Sequence, residues 1–402
     1  MSVFSSASAA SAFALGPKAL VAYLAFLSAF VPLSTDLYLP ALPGMGQFFQ
    51  VSADLTNLTL SCFMLIYSLS MLAWGPLSDK YGRRPILLAG LGIYIAASIA
   101  SALCGSVYQL IAGRSFQALG SGAISAVSLT VVKDAFRGRS MENVLTLIQT
   151  MMVLAPMLAP VIGGLLLAVT SWRGIFWALT LCGAAALGLS PALRETLTSP
   201  TPGSALGSLN RVAVVLRHAR FRSLLVIFSL SNMPFMAYLA ASAYVFEDIF
   251  GVSPQAYSYF FAVNAGVSML GPILYARFLR ELPRRIYIAG NFLLSAAAGA
   301  LILLIGDAGP FAFAALYLPI TFCGSAIRPA ATMLMMNQMD TDTGTVASLI
   351  GSIGLLCGSF AMFLCSLPWG SFITATGAIS MVVSLICLAG WLRFSRGGEP
   401  QA

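Results

Sequence analysis

The stretch ALVAYLAFLSAFVPLSTDLYLPALP, residues 19–43, holds a single ionisable side chain, Asp36. It is long and apolar enough to cross a bilayer, which takes about 20 helical residues. A carboxylate at that depth costs about 2.5–3.5 kcal/mol on insertion scales. Something must therefore pair it, protonate it or hydrate it, and this makes Asp36 a candidate for a proton or ion pathway. Pro32 and Pro40 bracket the acid. Prolines inside a span free backbone carbonyls, which is tolerated where the helix lines a cavity. The competing reading is a structural Asp, fully paired or snorkelling to one flank.

The rest of the chain has the same character. Charged residues make up 8% of it and hydrophobic residues 59%, against about 25% charged for a soluble domain. The mean hydropathy is +0.90. A soluble fold cannot hide that much apolar surface, so the expectation is an all-α, multi-pass protein with the lipid bilayer as its solvent. The seven cysteines form no CxxC pair, and the one histidine is His218. No metal site, cofactor or disulfide framework is expected from that pattern. The chain lacks a GxxxxGK[ST] loop, so no ATP site is expected. An enzyme would show a cluster of His, Cys or paired acids at membrane depth, and none is evident in the sequence.

Twelve apolar stretches can be read. They cover 19–43, 55–76, 86–104, 109–132, 142–168 and 173–191, then 221–245, 255–279, 286–305, 309–336, 344–367 and 371–393. The predicted organisation is a cytoplasmic tail over 1–18, a six-helix bundle over 19–191, a cytoplasmic linker over 192–220, a second six-helix bundle over 221–393 and a tail over 394–402. With the N-terminus inside, Lys80, Arg83, Arg84, Lys133, Arg194, Arg277 and Arg285 fall on inner loops, as do most other basic residues. Arg173 alone falls outside, and Arg114 and Arg328 fall within spans. The positive-inside rule then places both termini in the cytoplasm of an inner-membrane protein. The net charge of +8 follows from that orientation, and no nucleic-acid partner is needed to explain it. Trp172, Trp177 and Trp369 fall near outer ends and Trp74 and Trp391 near inner ends, as an aromatic belt would have them.

The two halves carry a faint repeat. Gly75-Pro76-Leu77 answers to Gly271-Pro272-Ile273, and Gly120-Ser121-Gly122-Ala123-Ile124 to Gly324-Ser325-Ala326-Ile327. Repeated bundles with a substrate site between them at the midplane are a transporter design. The inner loop Gly75-Pro76-Leu77-Ser78-Asp79-Lys80-Tyr81-Gly82-Arg83-Arg84-Pro85 adds detail. Gly75 and Gly82 allow close backbone approach, and Asp79 and Arg83 stand at ion-pair spacing. Such charges can cap a neighbouring helix end in one conformation and release it in another. Taken alone, the basic residues justify only a topogenic loop. In the fifth span, Pro156 and Pro160 lie four apart on one face and kink it. Gly163 and Gly164 follow on a surface another helix can approach, with or without a coupling role.

The 75–85 stretch resembles the signature loop of the major facilitator superfamily, G-x-L-x-D-x-x-G-R-[RK], without a missing position. Arg114, Gln117 and Gly120 resemble its fourth-span R-x-x-Q-x-x-G motif. Ala155-Pro156-Met157-Leu158-Ala159-Pro160-Val161-Ile162-Gly163-Gly164 is similar to its fifth-span antiporter motif, with alanines at two glycine positions. That variant and Ser34-Thr35-Asp36-Leu37-Tyr38-Leu39-Pro40 resemble the Bcr/CflA, or bicyclomycin-resistance, type of drug:proton antiporter. Ala237-Tyr238-Leu239-Ala240-Ala241-Ser242 is similar to it too, with Ala243 where that family often has Pro.

The resemblance implies two six-helix bundles working by alternating access as a monomer. On that resemblance, protons are expected to drive the efflux of a small amphiphilic molecule, with Asp36 carrying the proton and Arg114 assisting. It also implies that the fifth span seals against proton leak. Asp36, Gln117, Tyr238, Asn264 and Arg328 are candidates to line the substrate cavity. Arg328, mid-span and followed by Pro329, is not part of the family pattern. It either faces Asp36 across the cavity or snorkels to the inner surface. It also leaves open a second reading, export of a specific metabolite such as an amino acid, sugar or siderophore, possibly one bearing an anionic group.

Overall fold

The computed structural model describes residues 12–136, 138–197, 214–338 and 343–396. Most of the expected linker, over 198–213, and the tail ends over 1–11 and 397–402 lie outside the described residues, as does Arg137. The first six helices are α1 (Pro17–Phe49), α2 (Ala53–Tyr81), α3 (Arg83–Leu103), α4 (Val107–Ala135), α5 (Gly138–Val169) and α6 (Trp172–Ala192). Six more follow: α7 (Ala219–Ile249), α8 (Pro254–Leu279), α9 (Arg284–Ile305), α10 (Pro310–Met336), α11 (Thr343–Cys365) and α12 (Phe372–Arg396). Among the described residues, ten of these are long and apolar enough to cross a membrane. Shorter apolar segments, Leu154–Val169 and Leu349–Cys365, lie in α5 and α11. There is no strand among the described residues, only a bridge between Phe13 and Leu193.

The helices start where local chemistry directs. The Ser106 hydroxyl accepts from the Gln109 N–H at the head of α4, and Ser253 accepts from Ala256 ahead of Pro254 in α8. The lone histidine has the same task. His218 Nδ1 accepts from the Phe221 N–H at 3.4 Å and caps α7. Helices overrun the expected spans because the chain stays helical beyond the apolar stretch: α2 continues through the signature loop to Tyr81 and stops at Gly82, whose φ is +99°.

Among the described residues, two helices are broken. In α1, helical pieces Pro17–Ser28, Phe30–Asp36 and Leu42–Phe49 are joined through a 3₁₀ turn at Leu39–Ala41. Pro40 has no N–H to return to the Asp36 carbonyl, so the regular ladder ends at the acid. In α7, the piece ending at Leu230 is separated by Ser231–Asn232 from the piece that starts at Met233, with Pro234 in its first turn.

The chain divides into two compact units, Met1–Val51 with Cys62–Ser208, and Ser52–Ser61 with Leu209–Ala402. In the first unit α3 and α4 cross at glycines. A Cβ on Gly90 would lie 2.6 Å from that of Ala123, and one on Gly120 would lie 2.6 Å from the Gly90 carbonyl oxygen. In the second unit Gly271 of α8 packs on α10 in the same manner, where a Cβ would lie 2.1 Å from Ser325 Oγ. Gly75 behaves differently from the expectation: a Cβ there would meet nothing within 4 Å, so it is not a close-packing residue. Trp391 also departs from its expected belt position. It is fully buried, donates to the Arg285 carbonyl at 3.1 Å and packs on Phe228. Trp177 and Trp369 are exposed.

Candidate functional site

In the first unit, Asp36 is 4% exposed and closes the second helical piece of α1. The neighbouring Thr35 hydroxyl donates to the Val31 carbonyl at 3.1 Å. Ser34 binds the Phe30 carbonyl at 2.6 Å and the Tyr94 hydroxyl of α3 at 2.7 Å. The acid-bearing turn is therefore pinned to α3 one residue before Thr35. From the other side comes α5. Gly163 sits so close that a Cβ would fall 2.0 Å from the Leu37 carbonyl oxygen, one residue after Asp36. Only glycine permits that contact. Gly164 is buried beside it, and Pro156 and Pro160 lie inside the same helix.

Arg114 of α4 is 0% exposed. Its guanidinium carbon lies 4.2 Å from the Phe63 ring centroid, 4.6 Å from that of Tyr38 and 6.0 Å from that of Phe176. Rings at those distances each attract a cation by about 0.5–2 kcal/mol. Nη1 donates to Gln117 Oε1 at 2.6 Å, and Gln117 Nε2 donates to Ser98 Oγ at 2.7 Å. Nε and Nη2 have no hydrogen-bond partner. The alternative in which Arg114 bonds to backbone carbonyls of the first span is not what is seen. An aromatic cage and one side-chain amide hold the charge. Gln117 is sealed between α3 and α4 rather than open to a cavity.

The signature loop forms a charged cluster at the other end of this unit. Arg83 Nη1 pairs with Asp79 and donates to Ser78 Oγ at 2.8 Å, and Nε pairs with Asp134 of α4 at 3.1 Å. Those are the two ion pairs among the described residues. Glu195, just past α6, accepts from the backbone N–H of Arg83 at 2.9 Å and of Arg84 at 3.1 Å, capping α3. It also accepts from Thr196 and Leu197. Burial opposes its ionisation, but the four N–H donors prevail and hold its carboxyl below the usual glutamate value. A short pairing before α1, with Ala14 N donating to Ala192 at 2.8 Å and Arg194 N to Ala12 at 2.9 Å, sets Glu195 in place. A Cβ on Gly82 would lie 2.6 Å from Glu195 Oε2. The sequence reading missed Asp134 and Glu195; neither carries a spacing signal, because both act across more than 50 residues of chain.

In the second unit, Tyr238 is buried against Tyr317, ring centroids 4.5 Å apart, and against Phe261 at 5.9 Å. Asn264, one turn beyond Phe261 on α8, is 3% exposed, and neither its amide oxygen nor its nitrogen has a partner. Asn57, grouped with this unit, and Thr321 Oγ1 are likewise buried and unpartnered. A buried polar group left unsatisfied costs about 1–3 kcal/mol. Arg328 of α10 is exposed, and its Nη2 donates to Asn232 Oδ1 at 3.0 Å. Asn232, in the break of α7, was not legible as a site residue. The second-half counterpart of the charged cluster is absent among the described residues: Tyr275–Leu279 forms a π-helical turn, and the Tyr275 ring packs at a tilt on Tyr287.

Apolar helices of membrane length, two of them broken among the described residues, define a multi-pass membrane protein. The chain belongs to the Major Facilitator Superfamily, whose sequence profile matches residues 24–362. Over 376 residues, 92% of this chain and 93% of the relative, it is 28% identical to the MFS-type transporter YdgK of Bacillus subtilis (strain 168). Over 239 residues, 59% of this chain and 61% of the relative, it is 30% identical to multidrug resistance protein MdtL of Escherichia coli (strain K12 / DH10B). The fold is that of the peptide transporter POT, with TM-score 0.76 and 14% identity over 94% of this chain and 95% of that one. A D-xylose-proton symporter is similar as well, with TM-score 0.69 and 14% identity over 92% and 97% of the two chains. The protein is a transporter and not an enzyme.

Proposed function

We propose that this chain is a proton-driven exporter of small amphiphilic compounds, acting as a monomer in the bacterial inner membrane with both termini in the cytoplasm. The observation that carries the reading is the placement of Asp36: a buried acid at a helix break, with the antiporter-motif glycine of α5 seated on the next residue. An acid there can alternate between a charged form that holds a cationic or polar substrate and a neutral form that releases it. Contact between Gly163 and Leu37 gives α5 a direct hold on that alternation, so the switch and the seal move together. The resemblance to MdtL over part of the chain supports a drug-like substrate range, and the motifs of the Bcr/CflA type point the same way. Exposed and buried Phe, Tyr and Met side chains supply adaptable apolar surface for such substrates.

The test uses the full chain in proteoliposomes with an imposed pH gradient and a fluorescent lipophilic cation, ethidium, as probe. Wild-type protein should move the dye against its gradient, and Asp36→Asn should bind it but not couple its movement to protons. Full coupled transport by Asp36→Asn would remove Asp36 as the carrier.

A further inference from the structure

Among the arginines of the apolar helices, Arg83, Arg114 and Arg328 sit in three different settings. Arg83 is paired with two acids, and Arg114 is sealed under three aromatic rings. Arg328 is exposed, and no described carboxylate lies within 4.0 Å of it. Its recorded partner is neutral, the side-chain amide of Asn232.

The orientation of that amide is fixed by a third group. Asn232 Nδ2 donates to the Gly354 carbonyl oxygen of α11 at 3.2 Å. A carbonyl only accepts, so the nitrogen end must face it and the oxygen end must face Arg328. The close seating of α11 on the α7 break comes from Gly358, where a Cβ would lie 2.6 Å from Met236 Cγ. Asn232 thus aims one acceptor at the guanidinium and takes up one of its five N–H groups. The charge is held in position but not neutralised, and the remaining donors keep the planar fork that suits an oxyanion.

We propose that Arg328, positioned by Asn232, is a subsite for an anionic group, a carboxylate carried by an otherwise apolar substrate. A cation in an apolar helix is unfavourable without a partner; a bound carboxylate supplies one. The inference rests on the transporter reading and adds to it a substrate class other than the lipophilic cations that test export, and its binding test does not depend on proton coupling.

The experiment is equilibrium binding to the full chain in phosphatidylcholine nanodiscs of three matched probes: 4-butylbenzoate, 4-butylbenzylamine and 4-butylbenzyl alcohol. Wild-type protein should bind the benzoate at least about tenfold more tightly than the other two, the scale of a charge-assisted hydrogen bond. Arg328→Gln should erase that preference, and Arg328→Lys should keep part of it because it restores charge without the fork. Asn232→Asp keeps the arginine but sets a permanent carboxylate against it, so the preference should vanish there too. Should Arg328→Gln not fold, Asn232→Asp and Arg328→Lys decide. Equal binding of the three probes by wild-type protein, or a preference that survives Asn232→Asp, would overturn the subsite. Carboxylate-selective binding without pH-gradient-driven transport would uphold the subsite and count against the export reading. Coupled transport without that selectivity would do the reverse.

Discussion

Gly163→Ala adds one methyl group at the contact between α5 and the broken helix α1. The new Cβ would lie 2.0 Å from the Leu37 carbonyl oxygen and 2.9 Å from its carbon. Contacts under 3.0 Å are essentially never made by real Cβ atoms, so the two backbones must separate by at least 1.0 Å. The obstacle is main chain and cannot rotate away. Overpacking of this kind costs about 1–3 kcal/mol, partly offset by about 0.5–1 kcal/mol from the better helix propensity of alanine. The shift is delivered one residue from Asp36. Misplacing a functional group by about 1 Å can cost up to about 100-fold in rate, and we expect coupled export to fall by about tenfold. Gly75→Ala is the control, because a Cβ there has open space; it should be neutral or slightly stabilising. Thermal unfolding in detergent and pH-gradient-driven export in proteoliposomes would be measured on both variants. Wild-type stability and export in Gly163→Ala, or a larger loss in Gly75→Ala, would refute the reasoning.

Glu195→Gln should lower the thermal midpoint at pH 7 by weakening the cap on α3. Because the carboxyl is held below its usual value of 4.5, its stabilisation is present above that pH and is lost as pH falls through the folded-state value. The difference between variant and wild type should therefore shrink on acidification, and a gap that widens would count against the cap. Asp79→Asn removes one of the two acids that clamp Arg83, and half-exposed Asp79 makes this worth at most about 1 kcal/mol. It should raise the inner-open population up to about fivefold, seen as longer spin-label distances across the inner mouth; unchanged distances would argue against a latch. Asn264→Leu replaces an unsatisfied buried amide by an apolar side chain of similar size. Unfolding free energy should rise by about 1–3 kcal/mol while transport declines, and destabilisation would show that the amide has a partner.

Much of the architecture was legible because lipid imposes strict rules on backbone and charge. Apolar length located the helices, and Pro40 marked the break at Asp36. Gly82 read correctly as a place of close approach, since a Cβ there would meet Glu195; its positive φ, which glycine alone adopts at little cost, was not legible. Gly75 read the same way and was not, because a glycine in sequence shows permission and not use. The Asp79–Arg83 pair forms as the spacing suggests, although it crosses a helix end that the spacing did not reveal. What escaped the sequence acts between distant segments: Glu195 on the head of α3, Tyr38 over Arg114, Asn232 under Arg328. Their chemistry was visible, but pairing depends on which helix faces which, and no local pattern encodes that.

The two units treat their polar groups in opposite ways, and this bears on how labour is divided. In the first, Arg114, Gln117, Ser98, Ser34 and Tyr94 are hydrogen-bonded inward, and Asp36 is fixed between α3 and α5. Such groups should respond to protonation and helix movement more readily than to a passing solute, because the two unpartnered nitrogens of Arg114 are sealed under aromatic rings and the rest are hydrogen-bonded. In the second, Asn264 and Thr321 keep unused hydrogen-bonding atoms, and Arg328 keeps most of its donors. Unused donors and acceptors are what a substrate needs in order to be told from another. Substitutions at Asn264, Thr321 and Arg328 should therefore change which compounds are moved, while substitutions at Asp36, Gly163 and Arg114 should change whether a pH gradient moves any of them. A compound panel run with and without the gradient separates the two effects, and a first-unit variant that alters only the range of compounds would contradict this division.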